Sequence, residues 1–446
     1  MTASRLWIKD PMAIFAQGAE RGIVVHDGFI TELVGAGRAP STRCAEIFDA
    51  SRHVVIPGLV NAHHHFYQTL TRAHPQAINK PLFPWLIALY PLWARLKEDH
   101  LRVAVRLALT ELLMSGCTTA ADHHYLYPPG LEHAVDIEVE EALKLGIRIT
   151  ATRGSMNRSE KDGGLPPDSV VQDDDTILAD SERVLKLFHD PKPGAFTRIA
   201  LAPCSPFSVT PGLMAQTAKL AEKYDCQLHT HLAETDDEDR YCREVYGKRP
   251  LDLLEEVGWL SKRTWLAHGV HFEADEVARL GKAQVGVCHC GTSNMVLASG
   301  VCKTRELADS GVSLGLGVDG SASNDSSNMM EALRHALMIG RLRYPADQIT
   351  HDDVLRWGTE GSARCLGRDD IGKIEIGRCA DLALYTLDEP RFSGAHDPLA
   401  ALILCGAHRA DRVMVHGQWR VVDGAPVGID LAALMAAHAQ AARAFA

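Results

Sequence analysis

The sequence predicts an α/β fold, a (β/α)8 TIM barrel with a small β-sandwich built from both ends of the chain. Three observations carry this. Apolar runs of strand length alternate with amphipathic helical stretches through the middle of the chain. Residues 1–56 and 371–446 instead share short alternating runs and tight-turn signals. Histidines and carboxylates recur where the central strands end, the face on which a barrel carries its chemistry.

At the N-terminal end, Gly22-Ile23-Val24-Val25-His26 leads into Asp27-Gly28, a hairpin-type turn. Eight strands are then expected at 54–60, 117–122, 147–153, 198–203, 226–231, 264–268, 285–289 and 313–318. Helices are expected at 98–115, 136–145, 211–224, 274–281 and 328–342. The segment from Asn157 to Asp175 holds too many Gly, Pro and Asp residues for a buried element and reads as an excursion over the barrel mouth. Strand texture returns at Ala380–Tyr385 and Arg412–Gly417, with a turn at Val421-Val422-Asp423-Gly424. The division expected is 1–56 and 371–446 for the sandwich, the latter with a terminal helix, and 57–370 for a metal-dependent barrel.

Composition limits the function classes. With 446 residues, 46% hydrophobic and 23% charged, the chain is an ordinary globular one. A net charge of -11 argues against nucleic acid or an acidic membrane as partner. No apolar run has the length of a membrane span, and the first residues lack the apolar core of a secretory signal. The eleven cysteines are scattered without a CxxC knuckle and read as reduced thiols of a cytoplasmic protein.

The chemistry begins at Asn61-Ala62-His63-His64-His65, after Pro57-Gly58-Leu59-Val60. Residues i and i+2 of a strand face one way, so His63 and His65 form a pair and His64 points elsewhere. Strand five ends in His229-Thr230-His231-Leu232-Ala233-Glu234, strand six in Ala267-His268, and strand eight in Gly317-Val318-Asp319. His231 is preferred to His229 because it lies nearer the strand end, three residues before Glu234. Three neutral imidazoles and one carboxylate suit one divalent ion, Zn²⁺ first and Fe²⁺ second. An open position on such an ion would hold a water acidified towards neutrality.

A single strand-end histidine is more often a satisfied polar residue than a ligand, and His64, His123, His124, His229 and His271 fall in that class. Asp319 could cap a turn-rich loop, yet it ends an apolar strand. The His-x-Glu with Pro-Cys-x-x-Cys pattern of nucleic-acid-editing deaminases is missing, because Pro203-Cys204-Ser205-Pro206 lacks the second cysteine. Cys288-His289-Cys290 could be a thiolate site, but flanking cysteines on a strand usually pack.

Pro57–His65, His231-Leu232-Ala233-Glu234, His268-Gly269, His289-Cys290-Gly291-Thr292-Ser293-Asn294 and Gly317-Val318-Asp319-Gly320 resemble, in order, the motifs of the amidohydrolase superfamily. The resemblance is to its cytosine/guanine deaminase and chlorotriazine hydrolase branch. It implies a barrel with a two-ended sandwich, metal ligands His63, His65, His231 and Asp319, and Glu234 with His268 as the proton-handling pair. Binuclear members use a carbamylated lysine at the end of strand four. Ile199–Cys204 has none there, which implies a single metal. Members are usually homo-oligomers.

The implied reaction is hydrolytic displacement at an electron-poor, amidine-like ring carbon. His268 or Asp319 would take a proton from the attacking water, and Glu234 would protonate the adjacent ring nitrogen. A Glu in that role needs a raised pKa. The bland alternative is a Glu234 that only orients His231. Gln68, three residues after His65, stands where guanine deaminases place a purine-reading glutamine. Their Arg-Phe after the strand-four proline is replaced here by Cys204-Ser205. That change, with Asp122-His123-His124-Tyr125, is most like the 8-oxoguanine deaminases. It implies 8-oxoguanine plus water giving urate and ammonia. Trp93, with Trp85 and Tyr90, and Tyr125 could stack on the ring or simply pack. The rival readings are a hydroxyatrazine or other triazine aminohydrolase, a guanine or S-adenosylhomocysteine/methylthioadenosine deaminase, and, from another class, a non-catalytic metal-stabilised scaffold.

Overall fold

The computed structural model describes residues 5–446. Eight parallel strands form the barrel wall: Leu59–Asn61, Cys117–His124, Arg148–Ser155, Thr197–Pro203, Gln227–Leu232, Thr264–His268, Gly286–His289 and Ser313–Leu316. They lie side by side in chain order. Nearly every residue in them is buried, as expected when barrel packing covers one face and helices the other. Three hydrogen bonds close the ring beyond the last strand pair. Ala62 N–H donates to Leu316 O at 3.0 Å and Asp319 N–H to His63 O at 3.0 Å. Val318 N–H donates to Asn61 Oδ1 at 2.9 Å. This seam sets His63 beside Asp319, although 256 positions separate them in sequence.

The run expected as one strand over 54–60 is two. His53–Pro57 pairs antiparallel with Leu382–Thr386 in the sandwich, and only Leu59–Asn61 belongs to the barrel. The break falls at Gly58, where a Cβ would lie 2.2 Å from Thr118 Oγ1, so only glycine lets the chain pass from sheet to barrel. Within this sandwich strand Val55 packs in the sandwich core, whereas Val54 and Ile56 face the barrel core.

The sandwich has two sheets. One runs Phe29–Leu33, Gly22–His26, Leu6–Lys9, Glu46–Asp49. The other runs Ala425–Pro426, Gln418–Val422, Arg412–Val415, Leu382–Thr386, His53–Pro57, Ala13–Ile14, and so mixes both ends of the chain. Ile8, Ile23, Val25 and Ile30 pack on Val55, Leu382, Leu384 and Met414 between them.

The five expected helices form at Glu98–Met114, Ala134–Leu145, Pro211–Tyr224, Ala274–Ala283 and Met329–Arg343. Their ends follow local chemistry. Thr210 accepts from Leu213 N–H ahead of Pro211, and Asp225 leaves the helix in the left-handed region. Further helices form at Leu82–Trp93, Asp174–Phe188 and Asp236–Tyr246. The first is apolar almost all round and so shows no stripe in the sequence. The excursion after Asn157 is ordered by two short turns, Glu160–Asp162 and Asp168–Val170, and ends where Asp173 caps the next helix. Asn157 ties it to Asp174 and Thr210. A last helix, Leu431–Ala442, docks through His438 Nε2, 3.0 Å from Thr69 Oγ1. Among the described residues no helix is long and apolar enough to cross a membrane.

The seam yields a stability prediction. A Cβ on Gly317 would sit 2.7 Å from Cys288 Sγ and 2.8 Å from His63 Cβ. Gly317→Ala is expected to destabilise the fold by about 1–3 kcal/mol, read by denaturant unfolding. Wild-type stability in that variant would show that the seam is looser than this packing requires.

Candidate active site

His63 and His65 lie just past the first barrel strand, where the chain has turned inward. His63 is held by the seam, and His65 by its Nδ1–H, which donates to His123 O at 2.7 Å. His231 ends strand five and donates Nδ1–H to Cys204 O at 2.6 Å. His63 Nδ1 meets His229 Nε2 at 2.8 Å, and His229 Nδ1 meets Trp265 O at 2.9 Å. A carbonyl can only accept, so His229 carries its proton on Nδ1 and its Nε2 accepts from His63. All three rings therefore present a bare Nε2 inward.

Those nitrogens converge with Asp319. His65 Nε2 lies 3.2 Å from His231 Nε2, His63 Nε2 3.2 Å from Asp319 Oδ1, and His65 Nε2 3.3 Å from the same oxygen. Metal–donor bonds of about 2.0–2.1 Å place neighbouring donors of a tetrahedral site about 3.3 Å apart. His63 Nε2 is buried and has no hydrogen-bond partner, despite the nearby carboxylate. The donor set thus fits a divalent metal ion. Burial, with the neighbouring imidazoles, holds His63 well below the usual histidine range, and His231 at about 3. Burial also lowers His65, but the Asp319 carboxylate beside it outweighs this and the net shift is upward. Burial opposes the ionised form of Asp319, yet the imidazoles of His63 and His65 beside it hold its carboxyl well below the usual range.

A second grouping, His63 with His123 and His229, is also compact. It is consumed by hydrogen bonding: His63 and His229 share a proton, and His123 Nε2 lies 3.0 Å from Ala202 O. Cys288 and Cys290 are buried thiols 4.0 Å apart, and burial pushes Cys290 well up, as packing cysteines require.

Beside the convergent atoms stand Glu234 and His268. His268 Nε2 is 3.5 Å from Glu234 Oε2 and 3.9 Å from Asp319 Oδ2. Its Nδ1 meets Asn294 Oδ1 at 3.0 Å, which places the proton on Nδ1 and a lone pair on Nε2. His268 and Asp319 both have positive φ, 74° and 64°, strain of the kind concentrated at working sites. Burial, reinforced by Asp319, raises the Glu234 carboxyl well above its usual range.

A cavity opens over these groups. Gln68, Tyr125 and Cys204 line it with Trp85, Tyr90, Phe207, His65, His231, Glu234, His268 and Asp319. Burial pushes the Cys204 thiol to about 12, so it is a neutral wall atom. Trp93 is not in the wall. It is fully buried behind it, with Nε1–H on Thr71 Oγ1 at 3.1 Å and edge contacts to Tyr67, Trp85 and Tyr90. The expectation that Trp93 touches a ligand is therefore corrected: Trp85 and Tyr90 of the same helix do the lining. None of the segment 157–175 lines the cavity either.

Three supporting residues carry little or no signal in the sequence. Asn294 fixes the His268 tautomer. Glu238 takes the Ala233 and Glu234 N–H groups at 3.0 Å each and pins the loop that carries Glu234. Ser323 Oγ donates to Asp319 Oδ2 at 3.1 Å. Glu238 has a sequence signal, a second carboxylate four residues after Glu234 at a helix start, and Asn294 closes the motif His289–Asn294, from which its partner His268 is not readable.

Residues 54–420 match the Amidohydrolase family. The chain is 61% identical to the 8-oxoguanine deaminase of Pseudomonas aeruginosa over 444 residues, 99% of each protein. It is 37% identical to an isoxanthopterin deaminase from an unknown prokaryotic organism over 405 residues, 86% of this chain and 84% of that one. The crystal structure of a zinc-complexed atrazine chlorohydrolase from Arthrobacter aurescens TC1 superposes with a TM-score of 0.92 at 31% identity, covering 98% of this chain and 100% of that one.

If His229 sets the proton on His63, His229→Leu is expected to weaken metal affinity about 10–100-fold with the fold intact, measured by chelator competition. Undiminished affinity would show that His63 orients itself.

Proposed function

The chain belongs to the amidohydrolase family, and on that footing we propose that it is a mononuclear metal-dependent deaminase that converts 8-oxoguanine and water to urate and ammonia. The observation that carries the reading is the convergence of three bare imidazole nitrogens and Asp319 beneath a cavity that also presents Glu234 and His268. The similarity to the Pseudomonas aeruginosa 8-oxoguanine deaminase along nearly the whole chain supports the choice of substrate. Both 8-oxoguanine and isoxanthopterin carry a 2-amino-4-oxopyrimidine edge fused to a second ring. A shared point of attack is the amidine-like carbon bearing the exocyclic amine.

His63, His65, His231 and Asp319 hold the ion, which is zinc in this proposal, with iron(II) the second candidate. When bound, the ion would supply Lewis acidity that lowers the pKa of the water that attacks C2. His268 Nε2, left with its lone pair by Asn294, takes a proton of that water. Glu234, kept neutral by burial, gives its proton to the ring nitrogen next to C2, so negative charge does not accumulate on the ring. Return of protons to the exocyclic nitrogen releases it as ammonia, and the water oxygen remains as the new carbonyl of urate. Gln68 reads the heterocycle edge with its amide, and Tyr125, Trp85 and Tyr90 close over its faces. The neutral Cys204 leaves room beside the ring. The likeness to the atrazine chlorohydrolase keeps a triazine as the second reading. A scaffold role leaves the Glu234–His268 pair unexplained, because a structural ion needs no proton carriers.

Steady-state ammonia release from metal-replete protein tests the substrate. The expected preference for 8-oxoguanine over guanine, isoxanthopterin and a hydroxy-aminotriazine is at least tenfold in kcat/KM, about 1.4 kcal/mol. Preference for the triazine would move the chain to the rival reading. Glu234 sets a pH dependence. Its working form is the acid, present below its raised pKa and lost as pH climbs through it, so kcat/KM falls on the alkaline side. Glu234→Gln should cost about 10²–10⁴-fold on the acid side of that pKa, with a smaller deficit above it, while metal content is retained. A flat alkaline profile together with an active Gln variant would remove Glu234 from the chemistry.

A further inference from the structure

Barrel strand two ends in Asp122, His123 and His124, and the site described above uses only the His123 carbonyl. Behind that strand, Asp122, His124 and Glu138 of helix Ala134–Leu145 form a closed cluster. All three are at most 1% exposed, and their nearest donor atoms lie within 4.8 Å of one another. Asp122 Oδ1 accepts the Phe66 N–H at 2.6 Å. Phe66 follows His65 directly and opens the short helix Phe66–Thr71. His65 is thus held from two sides, at its ring by Nδ1–H on His123 O and at its backbone by Asp122 on the next amide.

What holds Asp122 is a problem of charge. Asp122 Oδ2, both Glu138 oxygens and His124 Nδ1 are buried without a hydrogen-bond partner. His124 Nε2 meets Leu126 O at 2.7 Å, so Nδ1 carries a lone pair, and it faces Glu138 Oε1 at 3.4 Å. Among the described residues no lysine or arginine forms an ion pair with Asp122 or Glu138. Two ionised carboxylates in that space would cost several kcal/mol each and repel one another. One proton between them removes both penalties and makes a charge-assisted bond. A carboxyl oxygen of Glu138 and one of Asp122 lie within 4.8 Å of one another, with no other charged group among the described residues between them to pair with. Burial and the facing carboxylate push Glu138 well above the usual range, whereas Asp122 rises to about 6, with burial as the main cause. Glu138 is therefore the proton's home.

We propose that Glu138 is a neutral positioning residue of the metal centre: its carboxyl O–H donates to Asp122, Asp122 fixes the Phe66 amide, and His65 is thereby held with Nε2 on the ion. The inference rests on the assignment of His65 as a ligand.

Zinc affinity, measured by competition with a chromogenic chelator alongside thermal unfolding and metal stoichiometry, tests it. Glu138→Gln keeps a donor towards Asp122 and is expected to retain affinity within about threefold, whereas Glu138→Met, similar in size but without a donor, should lose about 10–100-fold. Glu138→Met that unfolds like the wild type and binds zinc as tightly would overturn the proposal. Glu138→Gln as weak as Glu138→Met would overturn it too, because an ionised carboxylate would then be what Asp122 needs; this arm stands even if the Met variant does not fold. More than one zinc per wild-type chain, falling to one in Glu138→Gln, would mean that a cation and not a proton joins the pair. Failure of the ligand assignment is distinct: His65→Ala would then leave wild-type affinity unchanged.

Discussion

Everything at the centre of this molecule depends on where three protons are not. An imidazole offers a lone pair to an ion only if its hydrogen is committed elsewhere, and here each is committed to the barrel wall. His65 and His231 hand theirs to backbone carbonyls at 2.7 and 2.6 Å, and His63 hands its own to His229. The two carbonyls belong to the ends of neighbouring strands and His229 lies across the barrel, so the arrangement of the wall fixes the tautomers. Asp319 joins because the seam between the first and last strands brings it there. Shape and protonation state are in this sense one constraint, and the cavity, Glu234 and His268 are arranged around it.

The local electrostatics follow. Excluding water raises Glu234 and Glu238 and lowers His63, His231 and His268, in each case with burial as the first cause. The pocket favours neutral acids and neutral bases, which suits transfer of protons to and from an uncharged heterocycle. Asp319 and His65 are the exceptions, each shifted towards its charged form by the other. The left-handed backbone at His268 and Asp319 adds strain that the surrounding hydrogen bonds must support.

Much of the fold and of the site is legible in the sequence. The strand-end histidines and carboxylates stand out because a barrel aims one end of every strand at one place, and their spacing survives folding. What is not legible is hidden for identifiable reasons. The run 54–60 looks continuous because valine and isoleucine say nothing about which sheet they join; Gly58 holds the answer. Trp93 follows Leu82, Leu86 and Tyr90 along one helical stripe, so its direction is readable, but its distance along the axis is not, and it runs past the cavity to Thr71. His229 reads as a satisfied polar residue. It is satisfied, yet the group that satisfies it is His63, a pairing across the barrel that no local pattern encodes. Asn294 and Ser323 act through single hydrogen bonds made after distant strands meet.

The strand His53–Pro57 runs straight into the first barrel strand, yet its own partner is Leu382–Thr386, more than 300 residues later. During synthesis the early segment must wait, unpaired on that side, until nearly the whole chain has emerged. Contacts of such sequence separation form slowly and leave a sheet edge open meanwhile. The last part of the polypeptide to be translated thus decides when the first can be locked, and the histidines just downstream share that delay. A chain cut short before the sandwich closes would leave that sheet edge open for good, directly upstream of the first barrel strand.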